Sequence, residues 1–111
     1  NLKQKKILIL GFTFKENCPD LRNSGTINLM KVLHKKKIKL DIHDPYVKKD
    51  ELKKKTKKDY NIITNLEPSN YDCIIIAVGH RFYKKMGINK IKRLSNKKSC
   101  LFYDLKSLKA D

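Results

Sequence analysis

Apolar positions along the chain fall into two kinds of run. Ile7-Leu8-Ile9-Leu10 and Tyr71-Asp72-Cys73-Ile74-Ile75-Ile76-Ala77-Val78 are short and nearly continuous, the pattern of parallel strands covered on both faces. Lys39-Leu40-Asp41-Ile42-His43 alternates and predicts a second strand, closed by a turn at Asp44-Pro45. Residues 99–103 predict the last strand, and Ile62-Ile63 fits a small one. Residues 25–36 carry Ile27, Met30 and Leu33 at helical spacing, with Ser24 placed to cap the helix. Residues 82–94 predict a helix interrupted by Gly87. Residues 48–58 fit either a short charged helix or a loop, and residues 66–70, with Pro68, a turn or a short helix. This alternation predicts an α/β fold: a Rossmann-like, open, mainly parallel sheet of about five strands with helices on both faces. Ile7, Ile9, Ile74, Ile76 and Val78 are its expected core.

The 111 residues suffice for one domain with one modest core. No window approaches the roughly 18 apolar residues of a membrane span. Strand-like sequence begins directly after Asn1-Leu2-Lys3-Gln4, which excludes a signal peptide here and predicts a piece cut from a longer polypeptide. The net charge of +16 invites a nucleic-acid reading. Yet of 27 basic residues only Arg22, Arg81 and Arg93 are arginine, and lysine is the poorer residue for bidentate contacts. Lys35-Lys36-Lys37 and Lys53-Lys54-Lys55 fall at expected helix ends and loops, so a solvated face is the simpler reading. Cys18, Cys73 and Cys100 lack metal spacing. Cys73 and Cys100 sit in apolar runs, and three unpaired thiols fit a reducing cytoplasm.

The candidate chemistry gathers in residues 11–24, a long connection between the first strand and the first helix. Open α/β sheets bind ligands at the carboxyl ends of their strands. Here that position holds Lys15, Arg22 and the amides of a helix start, all suited to an anionic ligand. A dinucleotide-binding turn would need Gly-x-Gly-x-x-Gly. Only Gly11 is present; Thr13 and Glu16 fill the other glycine positions, so a self-sufficient NAD domain is rejected. His43 and His80 lie at strand ends without a nearby Ser, Cys or carboxylate constellation, and read as structural. Asp44 reads as a turn residue, and His34 as a favourable C-terminal residue of the first helix. Asp20 and Ser24 read as residues that order the loop and cap the helix. No metal site is expected.

Phe14-Lys15 followed by Asp20-x-Arg22-x-Ser24 resembles the signature that opens the C-terminal domain of the UDP-glucose/GDP-mannose dehydrogenases. The likeness continues, in order, through Asp44-Pro45, Tyr71-Asp72-x-Ile74-Ile75-Ile76-Ala77-Val78-x-His80 and Phe102-x-Asp104-x-Lys106. The variant around Asn17-Cys18-Pro19 is more similar to members that oxidise UDP-N-acetylhexosamines. The resemblance implies a UDP-binding C-terminal domain over residues 1–111, within a nucleotide-sugar 6-dehydrogenase that oxidises a C6 alcohol to the uronate with NAD. It implies Phe14, Lys15 and Lys106 as contacts to UDP-sugar and Arg22 as a contact to the NAD phosphates. NAD would be held mainly by an N-terminal domain absent here. The catalytic cysteine of relatives lies in a separate Gly-rich segment that Cys18 does not match, so no catalytic residue is expected in these 111 residues. The implied partners are the N-terminal and central domains of the same enzyme, a homo-oligomer when full length, in a cytoplasmic route to acidic polysaccharide. The rival is a basic Rossmann-like module for RNA or another polyanion, opposed by the scarcity of arginine and of clustered aromatics. A receiver-like domain would need clustered acids at the strand ends, where Lys15, His80 and Lys106 stand alongside Asp44 and Asp104.

Overall fold

The computed structural model describes residues 4–13, 16–17, 19 and 25–105. Chain order is β1 (Lys6–Leu10), α1 (Gly25–Lys35), β2 (Lys39–His43), α2 (Lys49–Thr56), β3 (Asn61–Ile62), β4 (Cys73–Ile76), α3 (Arg81–Met86), α4 (Ile88–Lys92) and β5 (Leu101–Asp104). All five strands are parallel, in the order β3-β2-β1-β4-β5.

Both faces of the sheet are covered. On one, Ile9, Ile42 and Ile75 pack with Ile27 and Met30 of α1 and Leu52 of α2. On the other, Leu8, Leu10, Ile74 and Ile76 pack with Tyr83 of α3 and Ile91 of α4. The period-two alternation of strand side chains sends successive residues of β1 and β4 to opposite layers. This is why their apolar runs are unbroken. Of the expected core, Ile9, Ile74, Ile76 and Val78 are buried. Ile7, near the entry of β1, is only partly buried.

The ambiguous segment at 48–58 contains the helix α2. It buries only Leu52 and Thr56, and the Thr56 hydroxyl donates back to the Leu52 carbonyl at 2.9 Å. Its lysines 53–55 and Lys57 are exposed, as a solvated face requires. Residues 66–70 form no helix and contribute one bridge, Ser69 to Ser95. Cys73 is buried, whereas Cys100 is only partly so. No helix among the described residues is long and apolar enough to cross a membrane.

Candidate functional site at the strand ends

Register fixes what meets at the carboxyl edge. Leu10 pairs with His43 of β2 on one side and with Ile76 of β4 on the other. The residues that follow those three positions therefore converge: Gly11 to Thr13, Asp44, and Ala77 to His80. The strand order reverses here, since β1 leads to β2 on one side and β4 lies on its other side. A crevice at such a switch point is where open α/β sheets receive ligands.

Gly11 makes the convergence possible. Its φ is +90°, and its amide donates to the His43 carbonyl at 2.7 Å. A Cβ placed on it would lie 2.6 Å from Cβ of Val78. The backbone leaving β1 thus passes against the end of β4 at a distance only glycine permits.

A buried polar network follows. Asp44 Oδ2 accepts the Phe12 amide at 2.9 Å, and Oδ1 accepts the Tyr46 amide at 2.8 Å. The second bond is the turn read from Asp44-Pro45; the first ties the turn to the β1–α1 loop. His80 Nε2 lies 2.9 Å from Asp44 Oδ2, with both side chains fully buried, and 3.2 Å from Thr13 Oγ1. Its Nδ1 accepts the Asn17 amide at 2.8 Å. Because an amide can only donate, Nδ1 carries no proton in this arrangement. The network thus assigns the proton to Nε2, which donates to Asp44.

Asn17 was not anticipated from the sequence. It adopts φ +56°, a region asparagine tolerates better than most residues. Its side-chain oxygen accepts the Arg81 amide at 2.8 Å, satisfying an otherwise free donor at the start of α3. The Tyr46 hydroxyl reaches the same oxygen at 3.4 Å, and the Tyr46 ring lies 4.8 Å from that of His80. In the sequence Asp44 was legible as a turn residue and His80 as a structural histidine at a strand end; neither their pairing nor the part of Asn17 was.

His43 forms a second layer below. The Tyr83 hydroxyl donates to the His43 carbonyl at 2.9 Å, so the 2.8 Å contact between Tyr83 Oη and His43 Nδ1 runs from Nδ1–H to oxygen. Burial lowers the pKa of His43; Asp44 opposes the shift and His80 adds to it. The folded state thus binds the His43 proton less readily than the unfolded chain. Stability should hold above the unfolded value near pH 6.5 and fall as pH drops from there towards the lower folded value, at up to about 1.4 kcal/mol per pH unit. Urea midpoints from pH 8 to 5 on the chain and on His43→Gln check this. The variant should lose much of the slope, and an unchanged slope would assign it to other groups.

Phe14, Lys15, Arg22, Asp20, Ser24 and Lys106, together with Cys18, lie outside the described residues. Their neighbours are well placed. Phe12, Thr13 and Asn17 are bonded into the network, and Asp104 closes β5 on the same edge, in register with Ile76. No group of three or more His, Cys, Asp or Glu able to hold a metal occurs among the described residues. Beside the switch point, over the ends of β2 and β3, a pocket of about 460 Å³ is lined by His43, Asp44, Pro45, Val47, Lys48, Lys49, Ile62, Ile63 and Thr64.

Known proteins resemble this chain in sequence and in fold. The family model for the UDP binding domain of the UDP-glucose/GDP-mannose dehydrogenase family matches residues 8–110. A UDP-N-acetyl-D-glucosamine 6-dehydrogenase from Salmonella typhi is 45% identical over 108 residues, 96% of this chain and 24% of that protein. One of the same description from Pseudomonas aeruginosa is 39% identical over 105 residues, 93% of this chain and 24% of that protein. The structure of a UDP-glucose dehydrogenase from the hyperthermophilic archaeon Pyrobaculum islandicum superposes with a TM-score of 0.67 at 16% identity, over 90% of this chain and 25% of that one. The chain therefore spans about a quarter of the length of these relatives. With its parallel sheet and the strand-end loop that carries the signature residues, the chain belongs to the UDP-glucose/GDP-mannose dehydrogenase family, as its UDP binding domain.

Proposed function

We propose that residues 1–111 are the UDP-binding C-terminal domain of a longer NAD-dependent nucleotide-sugar 6-dehydrogenase. The enzyme would oxidise the C6 alcohol of a UDP-hexose or UDP-N-acetylhexosamine to the uronate. The observation that carries this reading is at the switch point of the sheet, where Phe12 and Asn17 of the β1–α1 connection are bonded to the buried pair Asp44 and His80. Lys15 lies within it by sequence. An ammonium there neutralises a diphosphate, with Phe14 beside it and Lys106 following β5. The 45% identity to a UDP-N-acetyl-D-glucosamine 6-dehydrogenase supports the N-acetylhexosamine as substrate class.

NAD does not fit within this domain. Its pyrophosphate would need bare backbone at the first turn, but there the buried Thr13 side chain stands against His80, which is itself paired with Asp44. The cofactor belongs to the remainder of the enzyme, and Arg22 is the residue of this domain assigned to its phosphates. Asp20 and Ser24 order the loop and cap α1. The domain supplies one wall of a cleft and no reacting group, so the 111 residues alone should produce no NADH from any UDP-sugar. The full-length enzyme would be cytoplasmic and would assemble as a homo-oligomer.

Steady-state kinetics on the full-length enzyme test the assignment. Loss of one charge-assisted contact costs about 1.5–3 kcal/mol, or roughly ten- to a hundredfold in affinity. Lys15→Ala should mainly raise the Michaelis constant for UDP-sugar, and Arg22→Ala mainly that for NAD. Equal effects of Arg22→Ala on both substrates, matched by Asp20→Ala and by a lower melting temperature, would reduce Arg22 to a brace of the loop.

A further inference from the structure

We propose that His80, Asp44 and Asn17 are positioning residues for the UDP site, an inference that rests on Lys15 meeting the diphosphate. Only residues 14–16 separate two points that this trio fixes. On the entry side, Asp44 Oδ2 takes the Phe12 amide and His80 Nε2 lies against the Thr13 hydroxyl. On the exit side, the same imidazole takes the Asn17 amide on its other nitrogen. One ring thus ties both ends of the segment, and Asp44 orients the ring from a fully buried position. Asn17 extends the tie to α3 through the Arg81 amide. None of the three needs to touch ligand. They fix Phe12, Thr13 and Asn17, the residues that flank Lys15 in sequence, and a small misplacement of a binding segment is costly.

The device also explains why a histidine stands here. Imidazole offers a donor and an acceptor on opposite sides of a rigid ring. It can serve a carboxylate and a backbone amide at once, which a hydroxyl or an ammonium at the same place cannot do across that distance. The Nδ1 position is mimicked by the amide oxygen of asparagine, so His80→Asn keeps the acceptor for Asn17 while giving up the bond to Asp44. Phenylalanine keeps the ring and loses both.

The test is titration of the 111-residue chain with UDP, followed by NMR. Variants are His80→Phe, His80→Asn and Asn17→Gly, with Asp72→Asn as control. Asp72 sits at the opposite edge, bonded to the Lys6 amide and to Lys97. It should affect stability without affecting binding. His80→Phe should weaken UDP about tenfold or more, Asn17→Gly about three- to tenfold, and His80→Asn should recover part of the loss. Asn17→Gly keeps the left-handed backbone and the amide that His80 accepts, and removes only the side-chain tie to α3, so it tests Asn17 alone. His80→Asn keeps one bond of the ring and remains a test where His80→Phe does not fold. Binding by a folded His80 variant within twofold of the parent chain overturns the positioning role of His80 and Asp44, binding by Asn17→Gly within twofold overturns that of Asn17, and either result leaves UDP binding standing. Failure of the parent chain itself to bind UDP overturns both.

Discussion

Replacing Gly11 with alanine is expected to lower the melting temperature of the domain by roughly 15–25 °C. Two costs combine. The backbone at φ +90° is one that L side chains adopt under strain, at about 1–3 kcal/mol. The new methyl would sit 2.6 Å from Cβ and 3.1 Å from the backbone nitrogen of Val78, and overpacking of this kind costs about 1–3 kcal/mol or more. A total of about 4 kcal/mol is a large part of the 5–15 kcal/mol expected of a domain this size, with about 4–6 °C lost per kcal/mol at this length. Truncating the neighbour should not help: Val78→Ala removes Cγ2 but leaves the Cβ that makes the closest approach. Thermal unfolding of Gly11→Ala with and without Val78→Ala checks both statements. A melting temperature within about 5 °C of the parent would mean that β1 and β4 do not converge as described.

Asp44→Asn is the second large effect, although it changes hardly any volume. Three donors reach the carboxylate: the Phe12 amide and His80 Nε2 at Oδ2, and the Tyr46 amide at Oδ1. An asparagine must turn its NH₂ towards one of these sets, placing donor against donor in a buried site. Breaking a buried charge-assisted pair from one side costs about 3–5 kcal/mol; keeping one acceptor oxygen should bring the loss to about 2–4 kcal/mol. Urea titration at constant pH measures it. A loss below about 0.5 kcal/mol, the level of an ordinary surface change, would show that the network is not holding the loop.

The strands were legible because their apolar runs answer to burial on both faces, and that burial is real for β1 and β4. Their lengths were less so. The run from Tyr71 to Val78 yields only Cys73–Ile76 as strand. At its start the Asp72 side chain, at 2.9 Å, takes the Lys6 amide; at its end Ala77 and Val78 both donate to the Leu10 carbonyl. Helix α2 stayed undecided between helix and loop because a single buried leucine is too little periodicity to choose. The pairing of Asp44 with His80 spans 36 positions and depends on register, which propensities do not report. A signal was present nonetheless. In a parallel sheet, polar residues just past two strand ends share one edge, and Asp44 and His80 both stand there. Asn17 left no mark beyond its tolerance of positive φ.

This domain should bind UDP at the residues between β1 and α1. Chemical-shift mapping of the isotopically labelled chain during a UDP titration tests it most directly. Saturable shifts should cluster at Gly11 to Asn17, His80 and Asp104, with weak affinity, since the proposed cleft is shared with the rest of a longer enzyme. An unrelated oligonucleotide at the same phosphate concentration should not reproduce them at physiological salt. Shifts confined to the lysines of α2 and residues 57–58, with none in the loop, would contradict the account and restore the polyanion reading.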